Sequence, residues 1–251
     1  HGLSRPLPGT FPMGERPAGR PWHANTHLDH FCIVTWAMEP ERLARALPEG
    51  IEPQVFEVEG RECSLASAVA FEDRDFHFKG CPLARISCGQ INYRAYVHRG
   101  EQTGVYFFRT VLGSRWAVVP RQLWSMPWVY EPVLVRGCWE GSEVRTLEVD
   151  APGTVSRTSI RLESEGGLEV PPALLSPQVV DPALGWFTRF DGRLGRYSVW
   201  HPPLEARAAR VEGASARPFE EAGIVDPGQD PLGALVQRSV EFDVHLPPLT
   251  G

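Results

Sequence analysis

Lysine is almost missing from this sequence, because Lys79 is the only lysine among 25 basic residues. The formal net charge of -6 leaves no excess of cations to neutralise phosphates, which argues against a nucleic-acid partner. No apolar run approaches the ~20 residues that a membrane-spanning helix needs, and the first residues lack the apolar core of a signal peptide. We therefore expect no membrane partner.

Cysteine is sparse and follows no pattern. The five cysteines contain no CxxC pair, and they are Cys32, Cys63, Cys81, Cys88 and Cys138. An odd, scattered set argues against a disulfide scaffold or a thiolate zinc site, and predicts a reduced, cytoplasmic protein. His23, His27 and His30 would share a face only on a helix, whereas the FCIVTW run after them predicts a strand. We therefore predict no metal and no cofactor. Metal binding by these three histidines remains the alternative.

Signatures of several common chemistries are also missing. The sequence has no G-x-S-x-G nucleophile turn, no G-x-x-x-x-G-K-[ST] phosphate loop, no G-x-G-x-x-G dinucleotide turn and no internal repeat. A reaction must therefore be argued from the chemistry of a site and not from a motif.

Glycine and proline are abundant, at 24 residues each, and they are spread along the chain. This composition is typical of many short strands joined by turns. A length of 251 residues fits one large β-rich domain. We predict a single domain over residues 22–251, preceded by an irregular segment over residues 1–21 with five prolines and four glycines.

The strongest local pattern is a hairpin that begins near Gln90. At period two, Gln90, Asn92, Arg94 and Tyr96 fall on one side of a strand, and apolar residues fall on the other. A polar turn at residues 98–103 and a second β-rich run at residues 105–112 complete the hairpin. The polar row either faces water, as in many antiparallel sheets, or lines a pocket.

The hairpin sequence QINYRAYVHRGEQTGVYFF resembles the signature of a bacterial family of unknown function, the YqjF-like proteins of the acetoacetate decarboxylase-like superfamily. The earlier DHFCIVTWAMEPERLARALPEGIEPQVFEVEG and the later DGRLGRYSVWHPPLEARAARV resemble two more motifs of that family, in the same order. The resemblance implies an all-β or β-rich α+β fold, namely an acetoacetate decarboxylase-like antiparallel β-barrel with a few short helices. It also implies a small-molecule pocket near the hairpin.

The resemblance fails at the position that carries the family chemistry. True acetoacetate decarboxylases have a G-R-E-x-W-G-x-P-K-K element whose lysine forms a Schiff base with the substrate. The matching run here is PRQLWSMPWV, with Trp128 where that lysine would stand, and Gln90 replaces the carboxylate at the head of the polar row. Indole nitrogen cannot form an imine, and Lys79 lies in a polar loop-like segment. A Schiff-base decarboxylase is therefore not implied.

Seven residues are candidates for the pocket. We predict catalytic roles for His201, Arg94 and Arg121, and substrate binding by Gln90, Asn92, Tyr106 and Trp128. Guanidinium groups offer a planar fork for a carboxylate or enolate oxygen, and imidazole can move a proton near neutral pH. Three functions stay open: a lysine-independent enzyme on a keto acid or related metabolite, a non-catalytic small-molecule binding protein, and a structural or partner-binding protein. A homodimer is the default assembly.

Local patterns give a few further expectations. Residues 39–47, 114–126 and 182–190 are predicted as short helices, the last from an apolar stripe at Leu184, Phe187 and Phe190. The acidic group at Glu72, Asp73 and Asp75 is interpreted as a solvated loop tip.

Overall fold

The computed structural model describes residues 16–164 and 168–250. Fourteen strands lie in this part of the chain: β1 (Ala24–Met38), β2 (Glu52–Pro53), β3 (Phe56–Val58), β4 (Arg61–Phe78), β5 (Ile86–Arg99), β6 (Gln102–Leu112), β7 (Trp128–Tyr130), β8 (Leu134–Glu140), β9 (Glu143–Ala151), β10 (Thr158–Glu163), β11 (Leu184–Thr188), β12 (Leu194–Trp200), β13 (Arg207–Ala216) and β14 (Gly233–Thr250). The helices are α1 (Pro40–Ala44), α2 (Val118–Trp124), α3 (Pro177–Val180) and α4 (Arg217–Glu221), with 3₁₀ turns at Arg115–Ala117 and Pro172–Leu175. The β-rich class predicted from the sequence is confirmed.

The paired strands form a closed cycle. Their order is β1-β4-β5-β6-β11-β12-β14, and β14 pairs again with β1. Neighbours in the cycle are antiparallel, except that β11 runs parallel to β6. Strands β13, β10, β9 and β8 continue from β14 as a branch. Closing a sheet pairs its edges and creates an enclosed inner face, which is where a ligand can be separated from water.

The pairing of β5 with β6 determines which side chains lie next to the polar row on the inner face. The two strands pair from Gln90 opposite Leu112 to Arg99 opposite Gln102. The register slips between Tyr93 and Arg94, so β6 carries one extra residue there. A bulge of this kind decides which side chains of the partner strand share a face with the row.

Two apolar clusters occupy the two faces of the closed sheet. The inner cluster includes Phe31, Phe71 and Phe107. The outer cluster includes Tyr93 from β5 together with Ile160 from β10. The β8–β9–β10 layer therefore packs on the outside of the closed sheet, and the strands around β5 hold apolar residues on both faces.

The helix predicted over residues 182–190 is wrong, because Leu184–Thr188 form strand β11. Trp186 and Phe187 are both fully buried, but Trp186 belongs to the outer cluster and Phe187 to the inner one. A short apolar run can cover both faces of a buried strand or one face of a helix. Periodicity alone therefore cannot distinguish a strand from a helix in such a run. The helices predicted at residues 39–47 and 114–126 are present in shorter form as α1 and α2.

Gly104 permits the close parallel contact between β6 and β11. A Cβ there would overlap the carbonyl oxygen of Leu184 and lie 2.8 Å from the ring of Trp186. We expect Gly104→Ala to lower the free energy of unfolding by about 2 kcal/mol, measured by urea denaturation, because the backbone of β11 must shift. Gly213→Ala is the matched control, since a Cβ at Gly213 meets nothing within 4 Å. Equal losses in the two variants would contradict this reading.

The prediction for residues 1–21 concerns a segment of which residues 1–15 lie outside the described residues. At its end, Arg16 Nε donates to Asp243 Oδ2 at 2.9 Å, so the segment joins β14 through a buried carboxylate. Within residues 16–164 and 168–250, no helix has the length and apolarity to cross a membrane.

Candidate functional site

A cavity of about 90 Å³ lies on the inner face of the closed sheet. All seven strands of the cycle contribute to its wall, together with residues that follow α3 and β12. Most of the lining is apolar, with Phe31, Phe71 and Phe107 among the large side chains. The few polar groups that project into this wall are therefore poorly solvated, which strengthens any hydrogen bond or charge interaction they make.

Three residues of the predicted polar row line the cavity: Gln90, Asn92 and Arg94. They share the inner face because the β4–β5 register places them opposite Phe71, Val69 and Ser67. Gln90 Nε2 donates to Asn92 Oδ1 at 2.9 Å, which holds the two amides together. The fourth row residue, Tyr96, has its hydroxyl 2.7 Å from Ser67 Oγ and belongs to the buried inner cluster.

Arg94 presents a donor that the fold leaves unused. Its Nη2 donates to the carbonyl oxygen of Val179 at 3.0 Å, which fixes the guanidinium against α3. Its buried Nε finds no hydrogen-bond partner among the described residues. An unpartnered buried donor is costly, so a ligand oxygen that accepted from it would recover that free energy.

His201 lies beside Arg94 at the end of β12. Its Nδ1 donates to the carbonyl oxygen of Pro202 at 2.8 Å, and its ring stacks on Phe242 with centroids 4.4 Å apart. Burial lowers the pKa of His201, and it outweighs the hydrogen bond to Pro202 and the charge of Asp181, which oppose the shift; the positive charge of Arg94 adds to the lowering. The imidazole is therefore neutral near pH 7, with Nδ1 carrying the hydrogen and Nε2 a free lone pair.

Asp73 is the buried carboxyl group of the cavity, and its interpretation as part of a solvated loop tip is wrong. It lies inside β4, is 4% exposed, and accepts a hydrogen bond from Thr26 Oγ1 at 2.8 Å. Burial raises the pKa of Asp73 to about 7, although the Thr26 hydrogen bond opposes the shift. A carboxyl group with such a pKa can give or take a proton near neutral pH.

The remaining predicted site residues fall in three different places. Trp128 lines the cavity at the start of β7. Tyr106 does not line it, because Tyr106 lies opposite Ala95 on the outer face, with its hydroxyl 2.8 Å from Thr188 Oγ1. Arg121 is exposed on α2 and stacks over the Phe190 ring at 5.6 Å. The structure thus brings Gln90, Asn92, Arg94, Trp128 and His201 together and leaves Tyr106 and Arg121 outside.

Two cavity residues were missed by reasoning from the sequence, Asp73 and Tyr197. Asp73 follows Val69 and Phe71 at period two, so extending that strand by two residues would have placed it on the inner face. Tyr197 lies in β12, and burial raises the pKa of its hydroxyl while the charge of Arg94 opposes the shift. No local sequence pattern predicts that Tyr197 lines the cavity, because its place near Arg94 depends on how β12 and β5 are arranged in the closed sheet.

The lysine and three further histidines make contacts outside this cavity. Lys79, the only lysine, donates to Asp243 Oδ2 at 2.9 Å and does not line the cavity. His23 and His245 have ring centroids 4.9 Å apart, and His30 Nδ1 accepts from Trp139 Nε1 at 2.8 Å. Across the ranges that the structure describes, no group of three or more histidine, cysteine or acidic side chains is arranged to hold a metal.

Residues 25–240 match the model of DUF2071, a family described as an uncharacterized conserved protein. The chain belongs to this family. The match covers both arms of the hairpin, Asp73, Trp128 and His201, so most of the cavity wall is built from DUF2071 sequence, and only Phe242, Val244 and Leu246 of the lining lie beyond it. No curated protein matches this DUF2071 chain in sequence.

Solved structures with the same fold include acetoacetate decarboxylase and an acetoacetate decarboxylase-like enzyme. An acetoacetate decarboxylase-like enzyme from Sphingomonas wittichii RW1 has a TM-score of 0.59 at 13% identity, covering 92% of this chain and 94% of its own. The enduracididine biosynthesis enzyme MppR complexed with pyruvate has a TM-score of 0.60 at 12% identity, covering 94% and 92%. Acetoacetate decarboxylase from Legionella pneumophila has a TM-score of 0.58 at 11% identity, covering 99% and 97%. At such identities the likeness establishes the fold alone.

Proposed function

We propose that this DUF2071 protein is a lysine-independent enzyme that acts on a small keto acid, with Arg94 holding an anionic oxygen and His201 moving a proton. The single observation that carries the proposal is the buried, unpartnered Nε of Arg94 in a largely apolar cavity. A carboxylate or enolate oxygen is the group best able to satisfy that donor and the guanidinium charge together.

The chemistry follows from the protonation states in the cavity. When a keto acid is held at Arg94, the Nε2 lone pair of His201 can take a proton from the carbon next to the carbonyl group. The C–H electron pair becomes the new C=C bond, and the carbonyl π pair moves onto oxygen, where Arg94 stabilises the negative charge. The reverse step returns the proton to carbon, so neither an oxidant nor an imine is required.

The charges in the cavity favour a keto acid. A neutral His201 can accept a proton, whereas Arg94 stays charged, so the cavity separates the roles of base and oxyanion stabiliser. Asp73, whose pKa is raised to about 7, supplies a second group that can give or take a proton, at the Gln90 end of the row. The description of MppR as a complex with pyruvate supports the same ligand class for a protein of this fold.

A non-catalytic binding protein is the alternative, and the lining around Gln90 favours it. Gln90 donates to Asn92 and not to a charged partner, and Trp128 offers only an indole wall. By the motif resemblance, Trp128 stands where acetoacetate decarboxylases carry their lysine. Such a pocket needs Arg94 for binding but does not need a base.

The two functions are separated by one experiment. Pyruvate binding is measured by calorimetry, and exchange of its methyl protons with D₂O is followed by NMR. We expect Arg94→Gln to weaken binding by about 10- to 100-fold, since a charge-assisted hydrogen bond is lost. His201→Gln is expected to keep binding and lose exchange. Arg161→Gln, which changes an exposed arginine on β10, is the matched control and should behave as wild type.

Each result has one meaning. Binding by the wild type that depends on Arg94, without proton exchange, would support the binding protein and overturn the enzyme. Equal binding by the wild type and Arg94→Gln would overturn both functions. Exchange that survives in His201→Gln would remove His201 as the base and leave Asp73 as the group to test.

A further inference from the structure

A second cavity of about 120 Å³ adjoins the first at the Asp73 end of the polar row. We call it the side chamber. Four residues line both spaces, namely Asp73, Phe76, Gln90 and Trp128. The two cavities therefore adjoin along these four residues, three of which (Asp73, Gln90 and Trp128) belong to the candidate site.

Away from this shared wall the side chamber is mostly apolar, and Ser114 is the one hydroxyl-bearing residue among the described residues that line it. Its other walls include Phe78, Ile86, Leu112 and Trp116. Trp116 is also 64% exposed, so the side chamber reaches the protein surface beside this indole. Water gains few hydrogen bonds in such a space, and displacing it with hydrocarbon is favourable.

The position of the side chamber relative to Arg94 sets the shape of a ligand that uses both. Gln90 and Arg94 are four residues apart on β5, roughly 13 Å along an extended strand. A molecule of pyruvate's size held at Arg94 cannot extend past Gln90. Only a ligand with its charged head at Arg94 and a long apolar tail reaches the side chamber.

We infer that the ligand is a keto acid with a long aliphatic or arylalkyl tail, and that the side chamber between Phe76, Ile86 and Trp128 selects the end of that tail. This inference rests on the proposed function for the charged head. Apolar cavities of roughly 150 Å³ hold a benzene molecule, so the side chamber is of the right size for a branched alkyl group or a ring. Trp128 then serves as an apolar wall of the binding site.

The test measures affinity against tail length. Pyruvate, 2-oxooctanoate, 2-oxodecanoate and 2-oxododecanoate are titrated calorimetrically into the full chain. We expect the dissociation constant to fall by roughly fourfold per added methylene once the tail enters the side chamber. Ile86→Phe narrows the chamber and should weaken 2-oxododecanoate binding at least about tenfold while leaving pyruvate binding unchanged. Leu83→Phe adds the same bulk at a neighbouring position that is 95% exposed, and serves as the matched control.

A variant in the opposite direction guards against a folding artefact. Ile86→Ala enlarges the side chamber and should shift the preference toward longer tails, and thermal melts of both variants report whether the fold is intact. Arg94-dependent binding of every acid with equal affinity would overturn the side-chamber inference and leave the proposed function standing. Binding of none of the acids would overturn both.

Discussion

Replacing Asp73 by asparagine is expected to raise the free energy of unfolding at pH 8 by about 3 kcal/mol and to change it little at pH 4. The carboxyl group is buried, its hydrogen-bond donor Thr26 is uncharged, and its pKa is raised to about 7. A raised pKa means that the group stabilises the fold below its usual pKa, and that this contribution is lost as the pH rises through about 7. The asparagine amide is uncharged, so the variant avoids the free-energy cost of burying an ionised carboxylate at pH 8.

Urea denaturation of the two proteins at pH 4, 6, 7 and 8 measures the effect. Asp75→Asn is the matched control, because it makes the same change two residues along β4 on a side chain that is 47% exposed. We expect that control to differ from wild type by less than about 1 kcal/mol at every pH. An Asp73→Asn protein that is less stable than wild type at pH 8 would show that the carboxylate has a stabilising partner in the fold.

The same substitution separates stability from activity. If Asp73 gives or takes a proton in the reaction, Asp73→Asn gains stability and loses turnover, which is the usual trade-off at a strained or desolvated active site. Retained turnover in the more stable variant would limit the proton chemistry to His201.

Replacing Asp243 by asparagine is expected to lower the free energy of unfolding by about 3 kcal/mol at pH 7. The Asp243 side chain is fully buried on β14 and accepts hydrogen bonds at 2.9 Å from Arg16 Nε, Asn25 Nδ2 and Lys79 Nζ. These donors outweigh burial and lower the pKa of Asp243 to about 2. In Asp243→Asn, the cations of Arg16 and Lys79 stay beside residue 243 without the negative charge that pairs with them.

The pH dependence of this loss has the opposite sign to that of Asp73. A lowered pKa means that the stabilisation is present above the usual pKa and is lost as the pH falls through about 2. The gap between wild type and Asp243→Asn should therefore be constant from pH 5 to 8 and shrink as the pH falls below 4. Glu241→Gln is the matched control, since Glu241 also contacts Arg16 but leaves 33% of its side chain exposed. Equal losses in the two variants would contradict a special role for the buried carboxylate.

The sequence by itself determined the strand-rich class, the β5–β6 hairpin and the shared face of Gln90, Asn92 and Arg94. These features are local, because an alternation of period two and a glycine-containing turn act over a few residues. The place of Trp128 was recognised from a motif, and His201 from a second motif far along the chain. Their meeting across one cavity needed the strand order.

Only the tertiary structure decided which side chains are buried and which face of each strand lines the cavity. Asp73 looks like a solvated acid beside Glu72 and Asp75 until β1 and β5 cover it, and its pKa follows from that cover. Tyr106 and Phe107 are neighbours in sequence, and the bulge and pairing in the hairpin send Phe107 to the cavity and Tyr106 away from it. Burial and register arise from contacts between residues distant in the chain, and no local pattern carries that information.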